Sequence, residues 1–523
     1  LNSLSKNFSS LLSSAKAIDT SAEDLRKTLE LIGNLIDRSN QEGQDEGLRF
    51  AIEISNAVRS RVVNNSYEAS FHYNLGNAHS GLRKLLLQTK ADKLSFQIPE
   101  AEKELLEFRR AEALIQNEIN NLILKRQVLT NLGNVLSFLG RSVEAISKYD
   151  HALDLDESFA MARGNRGVSL FSYGFILPDP GHRSFFLIRA YQDLRQALTG
   201  KLEESAGCGF NDSLTLITRM FKDKKIFDNP PVLQEYSLGD SDEEQQYRKW
   251  CLHQRLFLNP LNDLGPYSIA ARDVLLLPPM KVPIGDGPYF QEMFNLLKQE
   301  YATLRFFLYC GSRQGEPHFS DHEVRLINPM TYPSYGLNVE CLRQSFRMAY
   351  SVLDKIAFFL NKYLELGMNL KHIYFHNLWY EGKAKNGVLK QVFEKKENWP
   401  LRGLFWLSKD LYCEEHDSEE PLEPSSRQIA DIRHHLEHKF LSIHDSLIGY
   451  PDKEEQGLHL YDPDIYHIAR SNVEKSALIL ARLVRSALIY LTLAVETEER
   501  ANSKNQNSIP HVPLDTYEDS WKR

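Results

Sequence analysis

From residue 1 to about residue 200, apolar positions recur at three- and four-residue intervals, the pattern of amphipathic helices packed on one another. The periodicity fades after Thr199, through Gly207-Cys-Gly-Phe210, the Asp228-Asn-Pro-Pro231 turn and the acidic run Gly239 to Glu244, so residues 201–246 read as a linker or irregular connection. Phe257-Leu-Asn-Pro-Leu-Asn-Asp263 opens the second half with side chains suited to capping, and Val274-Leu-Leu-Leu-Pro-Pro279 is a short buried run ended by prolines. Helical patterning then returns over 291–309, 339–366, 401–411, 425–444 and 464–498, with Ser425 or Ser426 as the cap of the fourth segment. The polar, proline-containing stretch 501–523 reads as a flexible tail. The fold class expected from this pattern is all-α.

The fourth segment stands out chemically. In Gln428-Ile-Ala-Asp-Ile-Arg-His-His-Leu-Glu-His-Lys-Phe440, a helical winding puts Ile429, Ile432, Leu436, Phe440 and Ile443 on one core-facing stripe. Measured from Ile432, Arg433 lies at about 100°, Glu437 at about 140°, His434 at about 200° and His438 at about 240° on the helical wheel. A guanidinium that keeps its charge, beside imidazoles that titrate near neutrality, suits phosphodiester chemistry: one group offsets charge on phosphorus and the others move protons. Pattern alone leaves open a solvated, histidine-rich helix face. The spacing Arg-x4-His also occurs at Arg248/His253 and Arg313/His318, but only Arg433/His438 has a polar residue beside the arginine and a clean apolar stripe alongside.

In the first half, Leu132-Gly133, Ala145, Tyr149 and Ala152 occupy the positions of a tetratricopeptide (TPR) repeat, and Arg166-Gly167 recurs 34 residues after Leu132-Gly133. Leu75-Gly76-Asn77 and Ile32-Gly33-Asn34 resemble earlier, degenerate copies, with an insertion from Ala91 to Glu107 breaking the period. Three to five helical hairpins are expected over residues 1–200. The resemblance to TPR arrays implies a concave surface for a protein or peptide partner, or else an intramolecular clamp that positions the rest of the chain.

A chain of 523 residues has room for two or three cores. Its net charge of -8 and pI near 6.1 exclude a broadly basic nucleic-acid-coating protein, so any contact with nucleic acid must be local. Five cysteines without a CxxC pair or a zinc-type Cys/His spacing read as reduced thiols of a cytoplasmic protein. The most apolar window, Ser476 to Val495, carries Arg482 and Arg485, which favours a buried helix over a membrane span, and no signal peptide or membrane association is expected. His372 and His376 sit four apart, yet Ile373-Tyr-Phe375 between them looks like a strand or packed turn, so structural roles are expected of both. Lys383, Lys385, Lys390, Lys395 and Lys396, interleaved with Phe393 and Trp399, form a candidate track for an RNA backbone, diluted by Glu394 and Glu397.

With the Arg/His cluster on the penultimate helix of a bundle, the region from about Arg248 to Glu498 resembles the HEPN superfamily, and its text Arg433-His-His-Leu-Glu-His-Lys439 is similar to a HEPN subgroup found behind TPR repeats in bacterial proteins. The expected architecture is a TPR-like hairpin array (1–200), a connection (201–246), a HEPN-like bundle (247–500) and a tail. The resemblance implies a ribonuclease that works without metal or other cofactor, as a homodimer or higher oligomer, leaving 2′,3′-cyclic phosphate and 5′-hydroxyl ends. Arg433 would hold the phosphate, His438 would transfer a proton, His434 would orient the phosphate or carry the second proton, and Glu437 would order an imidazole or Arg433. His434 departs from the Asn or Asp usual at its position. The resemblance further implies a toxin-like or antiphage role in bacteria with RNA as substrate; the rival reading is a non-catalytic adaptor that binds a protein and dimerises.

Overall fold

The computed structural model describes residues 8–18, 24–63, 66–89, 93–115, 121–281, 286–313, 315–382, 387–394, 396–412, 422–445, 462, 464–503 and 514–522. The chain is mostly helical. Its first half is built of antiparallel helix pairs: α1 (Phe8–Lys16), α2 (Leu25–Glu42) with α3 (Asp45–Val62), α4 (Glu68–Leu86) with α5 (Pro99–Ile115), α6 (Leu122–Phe138) with α7 (Ser142–Leu155), and α8 (Ala160–Ile176) with α9 (Pro180–Ala197). The small residue of the repeat pattern has a direct steric cause. A Cβ on Gly133 would stand 2.6 Å from the ring of Tyr149 on the paired helix, and one on Gly76 would stand 2.5 Å from Phe108. Much of the apparent insertion is therefore a repeat helix, α5, reached by a longer connection.

The stretch expected to be irregular carries α10 (Glu204–Met220), which extends the array by packing Phe210 against Gly164 of α8. The acidic run begins α11 (Asp242–His253): Ser241 accepts the Glu244 amide at 3.2 Å and three carboxylates occupy the first turn, where the helix dipole favours them.

The bundle comprises α12 (Tyr289–Gly311), α13 (Leu337–Tyr363), α14 (Trp399–Leu411), α15 (Ser426–His438) and α16 (Arg470–Ser503). Two short sheets accompany it: β1 (Tyr380–Glu381) runs antiparallel to β2 (Val388–Leu389), and β3 (Phe440–His444) runs parallel to β4 (Ile465–Ala469). The expected helices over 425–444 and 464–498 are thus corrected at facing ends. Past Lys439 the period changes from helical to two, with Leu441 and Ile443 buried while Phe440, assigned to the helical stripe, is 72% exposed. Helix α16 is long and apolar enough to cross a membrane, but 83% of its apolar window is buried inside the protein, where it forms the centre of the bundle.

The two arginines of the Ser476 to Val495 window are both accounted for. Arg482 donates to the backbone and side chain of Gln254, and Arg485 holds the Phe257–Asp263 turn through Phe257 O (2.6 Å), Asn259 O (3.1 Å) and Asp263 Oδ1 (2.6 Å). Tyr173 of α8 donates to the same Asp263 at 3.1 Å, tying the array to the bundle.

One hydrophobic core runs from Phe96 through both halves to Val495, whereas α1–α4 share a smaller core of their own. At the seam Gly140, with φ +85°, lets the repeat turn pass so close to α14 that a Cβ there would meet the Trp399 carbonyl at 2.1 Å. Phe96, from the connection before α5, packs on Phe393 and Phe405, and Trp406 donates its indole N–H to the Phe96 carbonyl at 3.0 Å. Asp410, 1% exposed, receives Arg109 of α5 and Arg141 of the α6–α7 turn. The α4–α5 and α6–α7 hairpins therefore clamp the bundle.

Candidate functional site

Helix α15 lies against α13, α14, α16 and both strands of the parallel sheet. Ile429, Ile432 and Leu436 bury its inner stripe, as the spacing requires. Ser425 occupies the N-cap position, but its hydroxyl turns to Glu423 Oε1 (3.2 Å) instead of capping an amide. The helix stops at His438, where Lys439 adopts an extended conformation and leads into β3.

Arg433 is half-buried. Its guanidinium carbon lies 4.2 Å from the ring centre of Tyr350 on α13 and 5.6 Å from that of Tyr412, just past α14. Two aromatic faces can hold a cation in place without neutralising it. Among the described residues the Arg433 side chain makes no ion pair or hydrogen bond, which leaves its donors for an anion. His434 and His438 stand together on the outer side of the helix, ring centres 5.6 Å apart and both exposed. Glu437 pairs with Arg347 of α13 at 3.3 Å, and Arg347 also donates to the Leu436 carbonyl at 2.6 Å, bracing the last turn. The structure thus gathers the two imidazoles on one face and Arg433 on the flank toward the core, as their angular spacing on the wheel implies.

Two neighbours complete the Arg433 surroundings. His376 packs its ring on Tyr412 at 5.0 Å, and its buried Nδ1 has no hydrogen-bond partner; burial, and after it the charge of Arg433, push this imidazole down to about 4. Burial raises the Asp354 carboxyl, against the opposing pull of the Phe375 amide (2.9 Å) and of Arg433. Sequence spacing finds neither group: His376 lies in a turn after the short helix Leu370–His372, so its i, i+4 relation to His372 does not define a helical face. Tyr350 shows in sequence only as part of the α13 core stripe, and nothing local marks Tyr412.

Of the proposed lysine track, the two described members are engaged elsewhere. Lys390 is buried and donates to the carbonyls of Leu378 and Tyr380, both at 2.7 Å, while Lys396 pairs with Glu498 at 2.8 Å. Lys383, Lys385 and Lys395 lie outside the described residues. Among the described residues, no group of three or more His, Cys, Asp or Glu is placed to hold a metal ion, and Cys208, Cys251, Cys310 and Cys341 are free thiols.

A helical bundle with an Arg-x4-His helix against its core, clamped by a TPR-like array, defines the class. Residues 282–498 match the family model described as LA2681-like HEPN, so the C-terminal part of the chain carries a HEPN domain of that kind. Comparison with curated proteins and with solved structures returned no match.

Proposed function

We propose that this chain is a HEPN-type endoribonuclease that cuts RNA with its own side chains. The single observation that carries the reading is Arg433: a half-buried cation held on two tyrosine faces with no ion pair or hydrogen bond among the described residues, on the same helix as a pair of exposed imidazoles. Arg433 takes the scissile phosphate and offsets charge as the phosphorus becomes five-coordinate. The ribose 2′-oxygen attacks phosphorus and gives its proton to one imidazole, while a second imidazole protonates the departing 5′-oxygen. The products are a 2′,3′-cyclic phosphate and a 5′-hydroxyl. His438 is one of these proton carriers; His434, or the His438 of a second copy facing it, is the other. Glu437, engaged with Arg347, steadies the helix end.

The exposed position of the histidines at the outer end of α15 suits closure of the site by a second chain. The first hairpins, whose core is separate from that of the bundle, are the part of the array free to hold a protein or peptide partner that governs cleavage, as a self-limiting defence nuclease requires. The test is end-labelled RNA incubated in excess EDTA with the parent protein and with His438→Ala, with product ends mapped. Cyclic-phosphate ends from the parent and none from the variant support the reading. Intact RNA from both, with a candidate activator present, would favour the adaptor.

A further inference from the structure

Arg109 belongs to α5 of the array, yet its guanidinium is committed to the bundle. Nη1 donates to Asp410 Oδ1 at 2.6 Å and to the Leu422 carbonyl at 2.9 Å; Nη2 donates to Asp410 Oδ2 at 2.8 Å and lies 3.3 Å from Glu423 Oε2. Asp410 is in the last turn of α14, and Leu422 and Glu423 stand immediately ahead of α15. One side chain of the array therefore fastens both ends of the connection that leads into the helix bearing Arg433.

The charge pattern fits this role better than simple neutralisation. Arg141 already supplies a cation to Asp410, and the second cation, Arg109, finds its further carboxylate in Glu423 on the α15 side. Two short routes lead from there to Arg433. Tyr412, two residues beyond Asp410, is one of the rings against its guanidinium, and Glu423 receives the hydroxyl of Ser425 at the N-cap of α15.

We infer that Arg109 is a positioning residue through which the repeat array sets the placement of Arg433, so that a partner displacing α5 would alter the anion site. The inference rests on the reading of Arg433 as the group that receives phosphate. Lysine cannot substitute, because one ammonium cannot span Asp410, Leu422 and Glu423 with the two-pronged geometry of a guanidinium.

The test uses the full chain with Arg109→Lys and the milder Glu423→Gln, and two readouts: the titration of His376 by NMR and the binding of inorganic phosphate. In Arg109→Lys, Arg433 leaves its place, the His376 pKa rises from its depressed value, and phosphate binding weakens roughly tenfold, the loss of about one charge-assisted hydrogen bond. Glu423→Gln gives the same changes in smaller measure, and decides the matter if Arg109→Lys fails to fold. A lower melting temperature with His376 titration and phosphate affinity unchanged would overturn the inference and leave Arg109 a stabilising contact only. If the parent and Arg433→Ala bind phosphate equally, the phosphate reading of Arg433 fails instead, and the His376 titration still decides whether Arg109 places it.

Discussion

At the seam, Asp410 sits between two guanidinium groups, Arg109 and Arg141, and all three are buried. Burial alone would raise that carboxyl, but the paired arginines hold it down at about 2. Nearby on α15, Arg433 is also drawn partly out of solvent, yet it rests on Tyr350 and Tyr412, and among the described residues no carboxylate pairs with it directly, Asp354 acting only from farther off. Arg485 and Arg305 follow the first pattern, paired with Asp263 and Asp273. A buried cation costs several kcal/mol unless it is matched, and Asp410, Asp263 and Asp273 supply that match here, while Arg402, fully buried on the rings of Phe138 and Trp399, is matched by the carbonyls of Lys93 and Phe138. Arg433 differs in having ring faces but no hydrogen-bond acceptor among the described residues, and on the proposed reading that leaves it to receive an anion from outside.

The contrast is broken most sharply by changing each side separately. His438→Ala should slow RNA cleavage by about 10²–10⁴-fold while leaving the unfolding free energy within about 0.5 kcal/mol of the parent, because the side chain is exposed. Asp410→Asn should do the reverse first: with two buried cations left only to the more exposed Glu423 and Glu144, urea unfolding should report a loss of about 3 kcal/mol. The same carboxylate should write itself into the acid stability profile. Held at about 2 when folded and near 3.8 when unfolded, it stabilises the fold fully above about pH 5 and loses that contribution progressively as the pH falls through 2, about 2 kcal/mol in all. Asp410→Asn should lack this acid slope. At the small end, Glu437→Gln opens an exposed pair with Arg347, and its unfolding midpoint should correspond to a change of less than about 1 kcal/mol. A large loss of stability there would mean that the end of α15 is held more tightly than its geometry implies.

Most of what locates the site could be read from residue order. Arg433, His434 and His438 form a local motif, the apolar stripe through Ile429, Ile432 and Leu436 gives their faces, and the Gly133 and Tyr149 spacing gives the repeat. Local periodicity failed where two periods coincide. Ile443 satisfies both a helical stripe from Leu436 and a strand alternation from Leu441, and only the pairing with β4 decides between them. It failed also for Lys390, since a run of basic residues does not reveal that this one is turned inward onto the carbonyls of Leu378 and Tyr380. Tyr412, His376 and Arg109 stayed hidden for a different reason: each meets its partner through tertiary packing between segments remote in the chain, and spacing holds no record of such contacts.

The measurement that tests the central claim most directly is the cleavage rate of Arg433→Ala on end-labelled RNA, taken alongside its unfolding free energy and that of Asp410→Asn. The account predicts that Arg433→Ala unfolds close to the parent and has lost cleavage, since its partner is the substrate. An Arg433→Ala protein that is destabilised as far as Asp410→Asn, or that cuts RNA at the parent rate, would contradict it.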